Sequence, residues 1–403
     1  MTILTINWSS VGLQAGQLLL SLSILVILHE FGHYITAKRY GMRVTEFFLG
    51  FGKRIWSTQR GETEFGLKAI PAGGYCKISG MSLREELPED VKERAFYRAT
   101  TGEKLVVLGA GSFLHFVLGF LLLFILFAGV GTSRVLPVVS EVLPCVPSAA
   151  ECSPSDPISP AKSAGIRAGD EIVGINGERD LSWEEMTPIL RASAGKMLTL
   201  EILRDGVPQS ISITPATRVV EGEARGFLGV INEFGQVREN PIRAFASSVE
   251  ATTQIITGSV KALIGLPAQI PNLIGQTFLG QERDSDGLVG IVGVARVSGE
   301  TASSGNLSPG EKLATFILIV ASLNIFVGIF NLIPILPLDG GHMAVAIYEA
   351  SRRWIYRRRG KTDPGPVDVE KLTPITVAVF ALLILLTLLL LFADIFNPIS
   401  FNL

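Results

Sequence analysis

Apolar residues in this chain gather into four long runs, and the stretches between them alternate in shorter periods. The runs cover about residue 11 into a motif at 25–37, roughly 105–132, about 313–338 and about 372–393. Each reaches the ~20 residues needed to cross hydrocarbon as a helix, so four transmembrane helices are expected. The first run has no basic region before it and reads as a retained anchor rather than a cleaved signal. Between runs one and two, "ETEFGLKAI" sets Phe65, Leu67 and Ala69 on one face and Glu64, Gly66 and Lys68 on the other, a strand period. With the turn glycines of "PAGGY", it predicts a small sheet over 44–80, close to the membrane and with an edge that another strand can join. Residues 136–217 hold short β-rich runs such as "DEIVGIN" and "LTLEIL", separated by turns at "NGE" and "RDG". The stretch 240–310 is small and apolar with scattered Arg243, Glu250 and Lys261, which suits an amphipathic helix on the membrane better than a fifth span.

Composition agrees. Of 403 residues, 48% are apolar and only 18% charged, with a mean hydropathy of +0.42, the signature of a membrane protein carrying some globular mass. A net charge of −2 gives no basic footprint for nucleic acid. Three cysteines are too few for a zinc ribbon or a disulfide scaffold. Basic residues set the orientation: Lys38, Arg39, Arg43, Lys53 and Arg54 follow the first run, Arg98 and Lys104 precede the second, and Arg352, Arg353, Arg357, Arg358, Arg359 and Lys361 follow the third. Those two loops are therefore expected in the cytoplasm, with both termini and the 133–312 segment outside.

Chemistry enters at "HEFGH". His29 and His33 are four residues apart, so one helix face presents both to one cation. Glu30 beside them is free to polarise a water and take its proton. Two histidines leave a tetrahedral zinc short of a third protein ligand. The third run ends "NLIPILPLDGGH", and Asp339 there is an acid at the end of an apolar stretch, expensive in a membrane without a partner. Pro334 and Pro337 break the helix before it, and Gly340 and Gly341 admit close backbone approach.

These pieces together resemble the site-2 proteases, zinc metalloproteases that cut peptides within the membrane. "HEFGH", "NLIPILPLDGG", the "AGGY" loop and a PDZ-like stretch, "SPAKSAGIRAGDEIVGINGERD", follow one another in the family's order. The single PDZ makes the chain most similar to a bacterial branch that cleaves membrane-bound anti-sigma factors. The resemblance implies an α-helical membrane protein with four transmembrane helices, a small membrane-associated β loop and an inserted extracytoplasmic PDZ (α+β) domain. Its divisions fall at 1–132, 133–217, 218–312 and 313–403. It implies Zn2+ held by His29, His33 and Asp339, with Glu30 catalytic. It gives Asn331 a contact with the substrate backbone and makes Asn324 a helix-packing residue. Gly73 and Gly74 are expected to hold the substrate extended. His342 has two readings, an outer contact of the metal site or an orienting turn residue.

In the second run, many members carry a glycine-proline and an asparagine where this chain reads "GAGSFLHF". Ser112 and His115 take the places of that proline and asparagine. His115 then either donates a hydrogen bond to the reacting carbonyl or is an inward-facing structural histidine. The implied partners are transmembrane, anti-sigma-factor-like substrates, the lipid bilayer and an upstream site-1-type protease, in a bacterial plasma or inner membrane. Two other classes compete: an inactive PDZ scaffold, opposed by the complete ligand set, and a membrane iron oxidoreductase, opposed by the count of four histidines. Cys145 and Cys152 fall in the segment placed outside, where a disulfide is expected; Cys76 falls inside and is expected free.

Overall fold

The computed structural model describes residues 8–147, 152–179, 181–220, 222–279, 281, 283 and 287–399. In chain order the elements are α1 (Trp8–Arg39), β1 (Val44–Arg60), β2 (Thr63–Ile78), α2 (Glu89–Lys92), α3 (Thr101–Ile125), β3 (Thr132–Val142), α4 (Pro160–Ser163), β4 (Glu171–Ile175), β5 (Glu178–Arg179) and α5 (Trp183–Ala192). Then come β6 (Leu198–Arg204), β7 (Val207–Ile213), β8 (Ala216–Val220), β9 (Glu223–Phe227), β10 (Val230–Val237), α6 (Pro241–Phe278), α7 (Ile291–Ser303), α8 (Pro309–Asn331), α9 (Asp339–Arg358) and α10 (Thr373–Phe396). They divide into two units, Met1–Val130 with Glu239–Leu403, and Gly131–Arg238.

In the first unit, four helices are long and apolar enough to cross a membrane: Leu20–Arg39, Thr101–Val130, Pro309–Asn331 and Val369–Phe396. The protein is thus a multi-pass membrane protein. Capping boxes, Thr100 with Glu103 and Ser308 with Glu311, fix where α3 and α8 begin. Small residues let the helices approach closely. A Cβ on Gly32 would lie 2.7 Å from the Ala110 backbone, and one on Gly119 would lie 2.5 Å from Ile325. The third apolar run, expected to continue to residue 338, stops being helical at Asn331. Pro334 and Pro337 lie in the irregular segment that follows, and Asp339 opens a new helix.

That helix, α9, occupies a stretch expected to be a basic loop. It is held by a buried ion pair, Lys104 Nζ to Glu349 at 2.7 Å, and Glu349 also accepts from the Val367 N–H at 2.7 Å. Arg352 donates to the carbonyls of Pro364 and Gly365, so one of the expected loop arginines is a structural clamp.

The sheet expected over 44–80 is present as two long, bent strands. Residues 44–49 pair with 74–78 on one side and with 63–67 on the other, and 54–60 pair beyond those. The 74–78 segment is left as an edge. Ala37, Val44, Ile78, Phe96 and Val107 form the core under it.

The second unit is an antiparallel sheet in the order β10-β3-β4-β6-β7, with β5 on β4 and a separate β8–β9 hairpin. Val139, Ile172, Met186, Leu200 and Ile202 make its core. Asp170, 1% exposed, is held by Arg204 at 2.7 Å. The unit runs past residue 217, the boundary expected from the sequence. Strand β10 returns to pair with β3, which ties 230–237 to 132–142. Cys145 and Cys152 are disulfide-bonded with Cα atoms 5.9 Å apart, and Cys76 is a free thiol. Burial pushes the Cys76 thiol well above its ordinary pKa, with Glu30 adding to the effect, which keeps it protonated and inert.

Candidate active site

His29 and His33 both face inward from α1, 8% and 7% exposed. Their Nε2 atoms stand 3.1 Å apart. Asp339 Oδ2 lies 3.1 Å from the first and 3.4 Å from the second. Neighbouring ligands of a tetrahedral zinc bound at roughly 2.0–2.1 Å are about 3.3 Å apart, so this triangle of two imidazole nitrogens and a carboxylate oxygen has the size and chemistry of a zinc site. His33 Nδ1 donates to the Val107 carbonyl at 2.7 Å, which leaves its Nε2 as the lone-pair atom turned to the centre. Among the described residues, His29, His33 and Asp339 are the group whose ligand atoms converge within 4.8 Å.

Three elements bring the ligands together. Helix α3 lays Gly111 against them: a Cβ there would sit 2.6 Å from His29 Nδ1 and 2.7 Å from His33 Nε2. Asp339 arrives from the other side at the first turn of α9, after the segment broken by Pro334 and Pro337. Gly340 and Gly341 lie so close to that segment that Cβ atoms would meet the backbone of Leu332 and Leu336 at 2.3 and 2.4 Å. Any larger residue would push the carboxylate out of register. Asn331, at the end of α8, reaches within 3.5 Å of His29 Nε2.

The edge segment of β2 runs alongside the site. A Cβ on Gly74 would lie 3.4 Å from Glu30 Cγ and 2.8 Å from Val26, and the Cys76 backbone lies against the Glu30 carboxylate. Gly73 has φ +136°, a conformation that suits glycine, and sits against the Phe51 ring. Phe51, Tyr75 and Phe48 stack with near-parallel rings. Outside the strand a cavity of about 560 Å³ is lined by Tyr75, Cys76, Lys77 and Ile78 and, across from them, by Met81 and Glu370. A strand edge beside a candidate base and an open cleft can hold an extended peptide next to the ligand triangle.

His115, 3% exposed, lies with its ring centroid 5.0 Å from that of His29. Asn324 is fully buried opposite it and bonds it twice, Oδ1 to Nδ1 at 2.5 Å and Nδ2 to the backbone carbonyl at 2.7 Å. Sequence reasoning missed that pairing, along with Gly111 and the Val107 carbonyl. The small-residue run "GAGS" at 109–112 was the available signal, since small residues on a membrane helix mark a close partner. His342 lies on α9, half-buried, and lines a small cavity with Met81, Phe96 and Lys104 rather than joining the triangle.

Comparison with known proteins points the same way as the geometry. A family profile described as Peptidase family M50 matches residues 17–362. The chain is 34% identical to the zinc metalloprotease Rip1 of Mycobacterium tuberculosis, over 95% of this chain and 98% of that one. It is 33% identical to Rip1 of Mycolicibacterium smegmatis, over 96% and 98%. It is 26% identical to the regulator of sigma E protease of Salmonella typhi, over 81% and 88%.

Proposed function

The chain belongs to peptidase family M50, the site-2 proteases, and from that premise we propose that this zinc metalloprotease hydrolyses peptide bonds within transmembrane segments of membrane proteins. The observation carrying the proposal is the ligand triangle His29–His33–Asp339 with Glu30 next to an open strand edge, two of the ligands and Glu30 standing on a helix apolar enough to cross a membrane. Irregular backbone at membrane depth is tolerated where it is packed within protein or lines a cavity, and the broken segment before Asp339 packs closely against Gly340 and Gly341.

Zinc held by His29, His33 and Asp339 would acidify a water and polarise the scissile carbonyl. Glu30 takes the proton of the attacking water and delivers it to the leaving nitrogen. The free edge near Gly73 and Gly74 holds the locally unwound substrate helix by backbone hydrogen bonds. Asn331, beside His29, contacts the substrate backbone at the reacting residue.

Anti-sigma-factor-like proteins are the proposed substrate class, supported by the likeness to a regulator of sigma E protease. We read the 131–238 unit as the PDZ domain, on its signature stretch and its open β10 edge. We place it outside the cell with both termini, which the Cys145–Cys152 disulfide supports. There it excludes substrates with a folded ectodomain until an upstream site-1-type protease has trimmed them. Replacing residues 132–237 by a flexible linker should then permit cleavage of untrimmed substrates; loss of all cleavage by a folded, zinc-loaded deletion would favour recruitment instead.

The direct test is Glu30→Ala. It should lower cleavage of a transmembrane substrate by about 10²–10⁴-fold while zinc content stays at the wild-type level. Alanine at His29, His33 or Asp339 should lower both. Appreciable cleavage by the zinc-loaded Glu30→Ala protein would refute the assigned chemistry.

A further inference from the structure

His33 and His29 share one site but not one support. His33 donates its outer N–H to the Val107 carbonyl, the kind of outer contact that fixes ring orientation for a metal-binding histidine. His29 has its Nε2 in the ligand triangle, so its Nδ1 carries the proton when that nitrogen binds. Yet His29 Nδ1 is buried with no hydrogen-bond partner among the described residues. It faces α3, where a Cβ at Gly111 would stand 2.6 Å away. His115 is one turn further along the same face of α3.

The protons on His115 follow from Asn324. Asn324 Nδ2 lies 2.7 Å from the His115 carbonyl oxygen, which can only accept. This fixes the amide orientation and turns Oδ1, also an acceptor, toward His115 Nδ1 at 2.5 Å. His115 Nδ1 must therefore hold the hydrogen, and in the neutral ring Nε2 is left as a lone pair. That Nε2 is itself buried and has no partner among the described residues. A buried donor and a buried acceptor thus stand unmatched on two rings whose centroids are 5.0 Å apart and inclined by 36°.

We propose that His115 is the positioning residue of His29: its Nε2 accepts the His29 Nδ1–H, by a small ring rotation or through one bridging water, and Asn324 sets the tautomer that makes this possible. Asn324, His115 and His29 then form a relay that orients one zinc ligand, as Val107 orients the other. His115 so engaged has no proton to offer the reacting carbonyl, so of its two sequence readings the arrangement favours the inward-facing histidine over the donor.

The inference rests on the metalloprotease reading, and zinc affinity of the purified full-length protein, measured by chelator competition, separates the two. Wild type that takes up no zinc overturns both. With wild type binding zinc, His115→Leu and Asn324→Leu, which keep bulk but remove acceptor or tautomer control, should weaken zinc about 10–100-fold. His115→Gln, which restores an acceptor oxygen, should recover part of that loss. Wild-type affinity in a folded His115→Leu protein overturns the relay alone. A second readout needs no substitution: in ¹⁵N-histidine spectra of the zinc-loaded wild type, His115 should show a protonated Nδ1 and a bare Nε2. A protonated Nε2 with a bare Nδ1 would overturn the proposal even if the variants failed to fold.

Discussion

The two units of this molecule use apolar residues differently. In the 131–238 unit, Val139, Ile172, Met186, Leu200 and Ile202 are fully buried, a core made by withdrawing hydrocarbon from water. In the membrane unit, Phe380, Leu385, Leu388 and Phe392 on α10 stand exposed. Beside buried apolar residues such as Leu123 and Ile325, that unit's interior also collects His29, His33, Ser112, His115, Asn324, Lys104 and Glu349. Lipid tails are as apolar as leucine, so burying leucine there gains little, and helices meet through small residues and polar contacts. A leucine of the membrane unit can therefore face outward, as Leu385 does, or pack inside, as Leu123 does. A buried polar group costs free energy in both, and in the membrane unit several of them, His29, His33 and His115 among them, lie at the proposed site.

The largest expected effect on this contrast comes from the Lys104–Glu349 pair, both side chains about 5–6% exposed. Glu349→Ala leaves an uncompensated buried cation and should destabilise the membrane unit by about 3–5 kcal/mol. Lys104→Met with Glu349→Leu removes both charges and should recover most of that. Thermal unfolding in one detergent compares the variants. A double variant no more stable than the single would mean that the pair stabilises in its own right, and that the interior here requires its charges.

A smaller effect should separate leucines of the two units. Leu200→Ala, at a fully buried site, should cost about 2–5 kcal/mol, seen as faster proteolysis within 131–238 while zinc content is unchanged. Leu385→Ala, at a position 64% exposed, should stay within roughly 0.5 kcal/mol. Similar losses at both positions would erase the contrast.

How far the sequence revealed the site depended on the range of each contact. His29, Glu30 and His33 are legible because an i, i+4 pair on a helix needs no tertiary information. Asp339 is legible because an acid closing a proline-broken apolar run is costly in a membrane unless it meets a partner there. The Asn324–His115 bond joins residues 209 apart in sequence, and helical periodicity does not say which face of α8 meets which face of α3. Helix α9 was hidden for another reason: its last turns carry arginines that mark topology, and the clamp formed by Glu349 and Arg352 appears only once 363–367 has folded back. The extra strands of the inserted unit escaped because β10 pairs with a strand nearly a hundred residues earlier.

The smallest expected effect sharpens the comparison, because it lies in the membrane unit at a place that water reaches. Glu62, at the turn between β1 and β2, accepts from the two terminal guanidinium nitrogens of Arg94 at 2.9 and 3.1 Å and pairs with Lys38. The Arg94 hydrogen bonds, with Lys38 beside them, hold its carboxyl down at about 2, from an ordinary value of 4.5. A depressed carboxylate pKa contributes stability that is complete above the unfolded value. That contribution is lost as pH falls from about 4.5 toward about 2. Glu62 and Arg94 are partly solvated, so solvent screening limits the pair to about 1 kcal/mol or less. Hydrogen exchange at the hairpin turn, taken relative to the intrinsic rate at each pH, should therefore lose protection modestly across that acid window, and Glu62→Gln should show the reduced protection already at neutral pH with no further loss on acidification. If the substituted protein kept the same acid dependence as wild type, Glu62 would not be the group responsible. A loss at neutral pH as large as that from Glu349→Ala would mean that this turn is as desolvated as the membrane interior.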